Sequence, residues 1–81
     1  MKINIKLFAM IREIVGESGI VIEVSENSTI NEMMELFYNA YPSARAYHEY
    51  MRVAVNREYV PFSHRLHDND EVAFIPPVSG G

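Results

Sequence analysis

The sequence predicts an α+β domain, a mixed sheet of four to five strands with one main helix packed across one face. Apolar residues alternate with polar ones near both ends of the chain, the period of half-buried strands, while one central segment switches to helical spacing. A single helical stripe is buried most economically against one apolar sheet face. At 81 residues the chain makes one domain close to the lower size limit for a self-sufficient core. Its composition, 48% hydrophobic and 22% charged, excludes a disordered or collagen-like chain.

The first strand is read from Ile3, Ile5 and Leu7 on one face and Lys2, Asn4 and Lys6 on the other. Phe8 continues the polar phase and is expected to point away from the core. Ala9 to Val15 is a short mixed stretch, and Gly16-Glu17-Ser18-Gly19 reads as a turn. Ile20, Ile22 and Val24 then resume the alternation, so the first two strands are expected to form a hairpin. Thr29-Ile30-Asn31-Glu32 fits a helix-starting capping box. Ile30, Met33, Met34, Phe37, Ala40 and Tyr41 follow as one apolar stripe, and Pro42 ends the helix by biasing Tyr41 away from helical dihedrals. Ser43 to Met51 has no clear period. Arg52 to Val55 reads as a strand, Asn56-Arg57-Glu58 as a turn, and Tyr59-Val60 as a short return strand ended by Pro61. Asp68-Asn69-Asp70 is a turn in which Asn69 can take a left-handed conformation, and Glu71 to Ile75 is the last strand. The two chain ends are expected to supply neighbouring central strands, the arrangement of a ubiquitin-like β-grasp. Residues 1–75 form the globular domain in this reading and residues 76–81 an extended tail.

Composition also narrows the chemistry. Without cysteine there are no disulfides, thiolate nucleophiles or cysteine persulfides on this chain. The net charge of -4 argues against a nucleic-acid partner, which needs clustered Lys and Arg, and allows docking on a basic protein surface. No apolar run approaches the roughly 18 residues of a membrane span, and the opening residues alternate where a signal peptide is continuously apolar. A cytoplasmic domain is expected, with no membrane partner. Phosphate-binding, nucleophile-elbow and zinc-protease motifs are absent. His48, His64 and His67 share no i, i+4 helical face, so surface or loop roles are expected for them rather than metal binding. Most of the carboxylates fall at turns or on polar strand faces, where solvation is their expected role.

The unusual feature is the ending, Pro76-Pro77-Val78-Ser79-Gly80-Gly81. On the final dipeptide alone a frayed terminus is the simpler reading, and two prolines also serve to stop a strand. A functional reading accounts for the whole segment. Pro76 and Pro77 favour an extended path rising about 3.1 Å per residue, which leads the tail away from the globule. Gly80 and Gly81 carry no side chains, so such a tail can thread a narrow tunnel in another protein. The terminal carboxylate is then the reactive group once activated, for example as an acyl-adenylate. Phe8 and Ile75 lie on the polar phases of their strands, and Tyr59 lies on the return strand. If the terminal strands are neighbours, Phe8 and Ile75 share a patch at the base of the tail. Such a patch is either an ordinary scatter of surface hydrophobes or a docking surface.

Leu7-Phe8-Ala9 with Arg12-Glu13 and Val15-Gly16, then Ala54-Val55-Asn56, and above all Leu66 with Asp70-Glu71-Val72-Ala73-Phe74-Ile75-Pro76-Pro77-Val78-Ser79-Gly80-Gly81 resemble the small, sulfur-carrier subunits of molybdopterin synthase. The resemblance spans nearly the whole chain. It implies a β-grasp protein, not catalytic alone, whose Gly81 carboxylate is adenylated by an E1-like ATP-dependent enzyme and converted to a thiocarboxylate. ATP is used by that enzyme, and no cofactor is bound here beyond the covalent sulfur on Gly81. The tail, Val78, Ser79, Gly80 and Gly81, would enter the large synthase subunit of a heterotetramer and donate sulfur to precursor Z (cyclic pyranopterin monophosphate), forming the molybdopterin dithiolene. Phe8, Tyr59, Ile75, Pro76 and Pro77 would contact the partner. The sulfur donor stays open. So do a carrier role in thiamine thiazole synthesis or another sulfur pathway, and a β-grasp protein modifier or interaction module. One departure is Asp68-Asn69-Asp70, where the family usually has Asp-Gly-Asp.

Overall fold

A computed structural model describes residues 1–77. Its elements are β1 (Lys2–Leu7), α1 (Ala9–Val15), β2 (Gly19–Glu23), α2 (Ile30–Ala40), a 3₁₀ helix (Pro42–Tyr50), β3 (Arg52–Val55), β4 (Glu58–Tyr59) and β5 (Glu71–Ile75). The sheet order is β2-β1-β5-β3-β4. β1 and β5, from the two ends of the chain, lie parallel at the centre, and the other pairs are antiparallel. This five-stranded mixed sheet with α2 on one face is the expected α+β, ubiquitin-like β-grasp.

Alternation decides which side of the sheet is core. Ile3, Ile5 and Leu7 of β1, Val53 and Val55 of β3, and Val72 and Phe74 of β5 are all buried. They meet Ile30, Met33, Met34 and Phe37 of α2, and Phe37 stacks edge-on against Phe74 with ring centroids 4.9 Å apart. Helix α2 begins at the expected capping box: the Thr29 hydroxyl accepts from the Glu32 N–H, and the Glu32 carboxylate accepts from the Thr29 N–H. It ends at Ala40, with Pro42 opening the 3₁₀ helix.

Four local expectations are revised. Strands β1 and β2 pair as expected, but the connection between them contains α1, seven residues of which only Ile11 is buried. That helix is too short to show a period. Gly16 caps it in the left-handed conformation, φ 88°. The return strand is Glu58–Tyr59, one residue earlier than read, because Asn56 and Arg57 alone make the turn. On α2, Ala40 is exposed and Tyr38 is buried. The 3₁₀ helix covers that flank, where the Tyr38 hydroxyl lies 2.8 Å from His48 Nδ1. His48 is therefore a half-buried packing residue, set between the rings of Tyr38 and Phe62. Finally, Asp70 is buried rather than solvated. Its carboxylate accepts from Asn56 Nδ2 at 3.0 Å and from the His67 N–H at 2.8 Å. Asn69 between the two aspartates has φ 67°, the left-handed conformation expected.

Candidate functional site

The outer face of the sheet, opposite α2, carries the site. Two small residues make its floor: Ala54 of β3 stands in register with Ala73 of β5. Tyr59 of β4 pairs with Ala54 and rises beside it. Ile75 lies two residues beyond Ala73 on the same face of β5, in register with Arg52. Phe8, where β1 ends and α1 begins, closes the opposite wall. Phe8, Tyr59, Ile75, Pro76 and Pro77, all singled out from the sequence, line one apolar groove of about 600 Å³ with Ala9, Met10, Ala54, Arg57 and Ala73. Phe8 and Tyr59 are 45% and 66% exposed, Ile75 is half-buried and Pro76 is buried. The remaining predicted residues, Val78, Ser79, Gly80 and Gly81, lie outside the described residues, immediately after Pro77.

Sequence reading did not pick out the alanine floor, Met10 or Arg57. A pair of alanines within otherwise β-branched strands is the signal that points to the floor, once register places them side by side. Arg57 is the charged group of the lining. A second, more polar groove adjoins the first across Tyr59, Ile75, Pro76 and Pro77, and adds Glu49, Tyr50, Met51 and Arg52. The end of β5 and the two prolines therefore line both grooves.

Backbone strain also concentrates here. Among the described residues five that are not glycine have positive φ: Ala9, Asn27, Asn56, Arg57 and Asn69. Asparagine tolerates that conformation. The other two, Ala9 at 50° and Arg57 at 73°, both line the apolar groove. Strain of this kind clusters at binding surfaces, where the fold holds a residue in place against its own preference. Asn56 and Arg57, with φ 49° and 73°, form the two-residue turn between β3 and β4 that positions Tyr59.

No three His, Asp or Glu side chains among the described residues are grouped to hold a metal ion. No helix of the described residues is long and apolar enough to cross a membrane.

Residues 5–81 match the ThiS family. The chain belongs to that family. This ThiS-family domain is 36% identical over 81 residues to the molybdopterin synthase sulfur carrier subunit of Dictyostelium discoideum, covering 96% of this chain and 94% of that relative. Similarity to sulfur carrier subunits of molybdopterin synthase, drawn above from sequence motifs, thus extends over the full length. Among solved structures, the small archaeal modifier protein 1 of Haloferax volcanii superposes with a TM-score of 0.88 at 26% identity, covering 100% of both chains. A chain from the complex of subunits 1 and 2 of molybdopterin-converting factor from Helicobacter pylori superposes with a TM-score of 0.71 at 20% identity, again over 100% of both chains, a likeness of fold.

Proposed function

We propose that this domain is the sulfur-carrier subunit of a cytoplasmic molybdopterin synthase, a co-substrate rather than a catalyst alone. The observation that carries the proposal is the apolar groove, which lies where Ile75, Pro76 and Pro77 lead into Val78-Ser79-Gly80-Gly81. A body with a docking groove at the root of a Gly-Gly tail suits a protein that offers its terminus to another protein's active site. The large synthase subunit and an E1-like enzyme would each seat an apolar side chain between Phe8, Tyr59 and Ile75, with an acidic group against Arg57. In the E1-like enzyme the Gly81 carboxylate attacks the α-phosphorus of ATP and expels pyrophosphate. A sulfide-level donor then displaces AMP and leaves a thiocarboxylate. In the large subunit that sulfur passes to precursor Z, and two such transfers complete the dithiolene. The numerous relatives named as sulfur carrier subunits of molybdopterin synthase support this reading.

The test is the intact mass after incubation with ATP, the E1-like enzyme and a sulfur source. The expected result is a gain equal to the difference between sulfur and oxygen, localised to Gly81 by fragmentation. An unchanged mass, with the enzyme shown to act on a known carrier, overturns the proposal. The likeness to a small archaeal modifier protein favours a second reading, in which Gly81 is joined to lysines of other proteins. Isopeptide-linked products in place of the thiocarboxylate would select it. A thiocarboxylate that fails to convert precursor Z with the large subunit would assign the carrier to another pathway, such as thiamine thiazole synthesis.

A further inference from the structure

The sheet has two edges, and they differ. The β4 edge is two residues long, whereas β2 is five residues, Gly-Ile-Val-Ile-Glu, pairing only with β1 among the described residues. Long edges are ordinarily blunted by charged side chains, proline or a bulge. On β2 there is no lysine, proline or bulge, and its one charge, Glu23, stands at the end of the strand.

The hydrogen-bond phase shows which groups this edge presents. Met1 and Val24 exchange both backbone bonds, Met1 N to Val24 O at 2.7 Å and Val24 N to Met1 O at 2.9 Å, and Leu7 N donates to Ser18 O at 2.9 Å. In an antiparallel ladder this alternation directs the N–H and C=O of Ile20 and Ile22 to β1, and those of Gly19, Val21 and Glu23 outward. Val21 is 60% exposed on the outer face, and Ile20 and Ile22 are half-buried on the α2 side.

We propose that the β2 edge is a self-association surface that takes β2 of a second copy antiparallel, with the two Val21 residues opposite each other. The sequence of the strand is self-complementary in this register. Val21 meets Val21 on the outer face, and on the inner face each Ile20 meets the Ile22 of the second copy, which covers two half-exposed apolar residues on each side. Gly19 stands opposite the Glu23 of the second copy. Because Gly19 has no side chain, that carboxylate crosses towards Lys6, the neighbour of Gly19 in the β1 register. Slipping the pairing by two residues puts Val21 against Gly19 or Glu23 and loses the match. About six backbone hydrogen bonds form across the two-fold axis. An edge contact of this size lies at the weak end of specific interfaces, so the dimer is a dynamic one. The groove shares the outer face but lies over β5, β3 and β4, with β1 between its floor and the β2 edge, and stays open in the dimer.

Sedimentation equilibrium and amide chemical shifts from roughly 10 µM to 1 mM, a range suited to weak interfaces, test the proposal. The expected result is a monomer–dimer equilibrium with concentration-dependent shifts confined to residues 18–24 and their β1 neighbours. Val21→Lys, which puts like charges face to face at an exposed position, should weaken it at least tenfold, while Leu36→Lys on exposed α2 surface leaves it unchanged. The natural chain has no cysteine, so Val21→Cys introduces a lone thiol. The facing Cα atoms of a hydrogen-bonded pair lie about 5.5 Å apart, within disulfide range. Oxidation should therefore link Val21→Cys into a dimer and not Leu36→Cys. A chain that stays monomeric to about 1 mM overturns the proposal, as does a dimer indifferent to Val21→Lys or one whose shifts map to Phe8 and Tyr59.

Discussion

At the scale of single residues, the β3–β4 turn joins stability to function. Arg57 holds φ 73° without the asparagine side chain or glycine backbone that suits it. A left-handed residue with a Cβ costs roughly 1–2 kcal/mol, and glycine gives back part of that in chain entropy. Arg57→Gly is therefore expected to stabilise the domain by about 0.5–1 kcal/mol in urea unfolding, and to weaken binding of the large subunit by removing the groove's cation. Its neighbour Asn56 works the other way. Its side chain donates to the buried Asp70 carboxylate and accepts from the Glu71 N–H at 3.0 Å, which ties the turn to the start of β5. Asn56→Ala leaves a buried carboxylate short of a partner in a left-handed turn. A loss of about 2–3 kcal/mol is expected, which lowers the melting temperature by roughly 10–20 °C in a domain of this size.

At the scale of elements, α2 and the 3₁₀ helix depend on each other. Arg45 reaches back to Glu35 with two bonds of 3.0 and 3.1 Å and lies over the Tyr38 ring. That bond to Arg45 holds the Glu35 carboxyl below its usual range. The pair's contribution is present above the ordinary carboxylate range and fades as pH falls through the depressed value. Burial pushes the Tyr38 phenol up to about 12. Below pH 10 the phenol is neutral in both folded and unfolded chains, and its contribution is complete. Between about pH 10 and 12 only the unfolded chain ionises, so stability falls as pH rises. Allowing for solvent screening, the loss is about 1–2 kcal/mol. Tyr38→Phe should flatten that alkaline slope in pH-dependent urea midpoints, at a cost near neutrality of about 1 kcal/mol for the lost bond to His48. This pairing also explains what the sequence concealed. The strands and α2 were legible because each buries one periodic face. The segment from Pro42 to Tyr50 buries only Ala44. Contacts ten residues back, Tyr38 with His48 and Glu35 with Arg45, join it to α2, and they leave no local pattern. The same contacts exchange Tyr38 for Ala40 on the buried side of α2. In the groove Phe8 and Ile75 were legible as apolar residues out of phase, whereas Tyr59, Pro76 and Pro77 were singled out as partner contacts through the resemblance to sulfur-carrier subunits. The alanine floor needed the β3–β5 register, which only the folded sheet supplies.

At the scale of the whole molecule, the sheet separates what the domain must keep from what it can lose. The α2 side holds the core, while the outer face offers Phe8 and Tyr59 to solvent. Side chains this exposed contribute little to folding, so truncating them should change stability by no more than about 0.5 kcal/mol. An aromatic side chain that walls a groove around a partner's apolar side chain is a different matter, because its removal forfeits a desolvated contact and typically costs about 2 kcal/mol or more. Phe8→Ala and Tyr59→Ala are thus expected to weaken binding to the large subunit by at least about thirtyfold each in calorimetric titrations, with unfolding midpoints near the parent's. Val21→Ala, on the opposite edge, should leave that titration unchanged. Removing Gly81 provides the complementary case. The domain should fold and its groove should still dock, yet mass spectrometry should find no thiocarboxylate. If Phe8→Ala and Tyr59→Ala bind like the parent while Gly81 remains essential, the groove is not the docking surface and recognition lies in the tail alone.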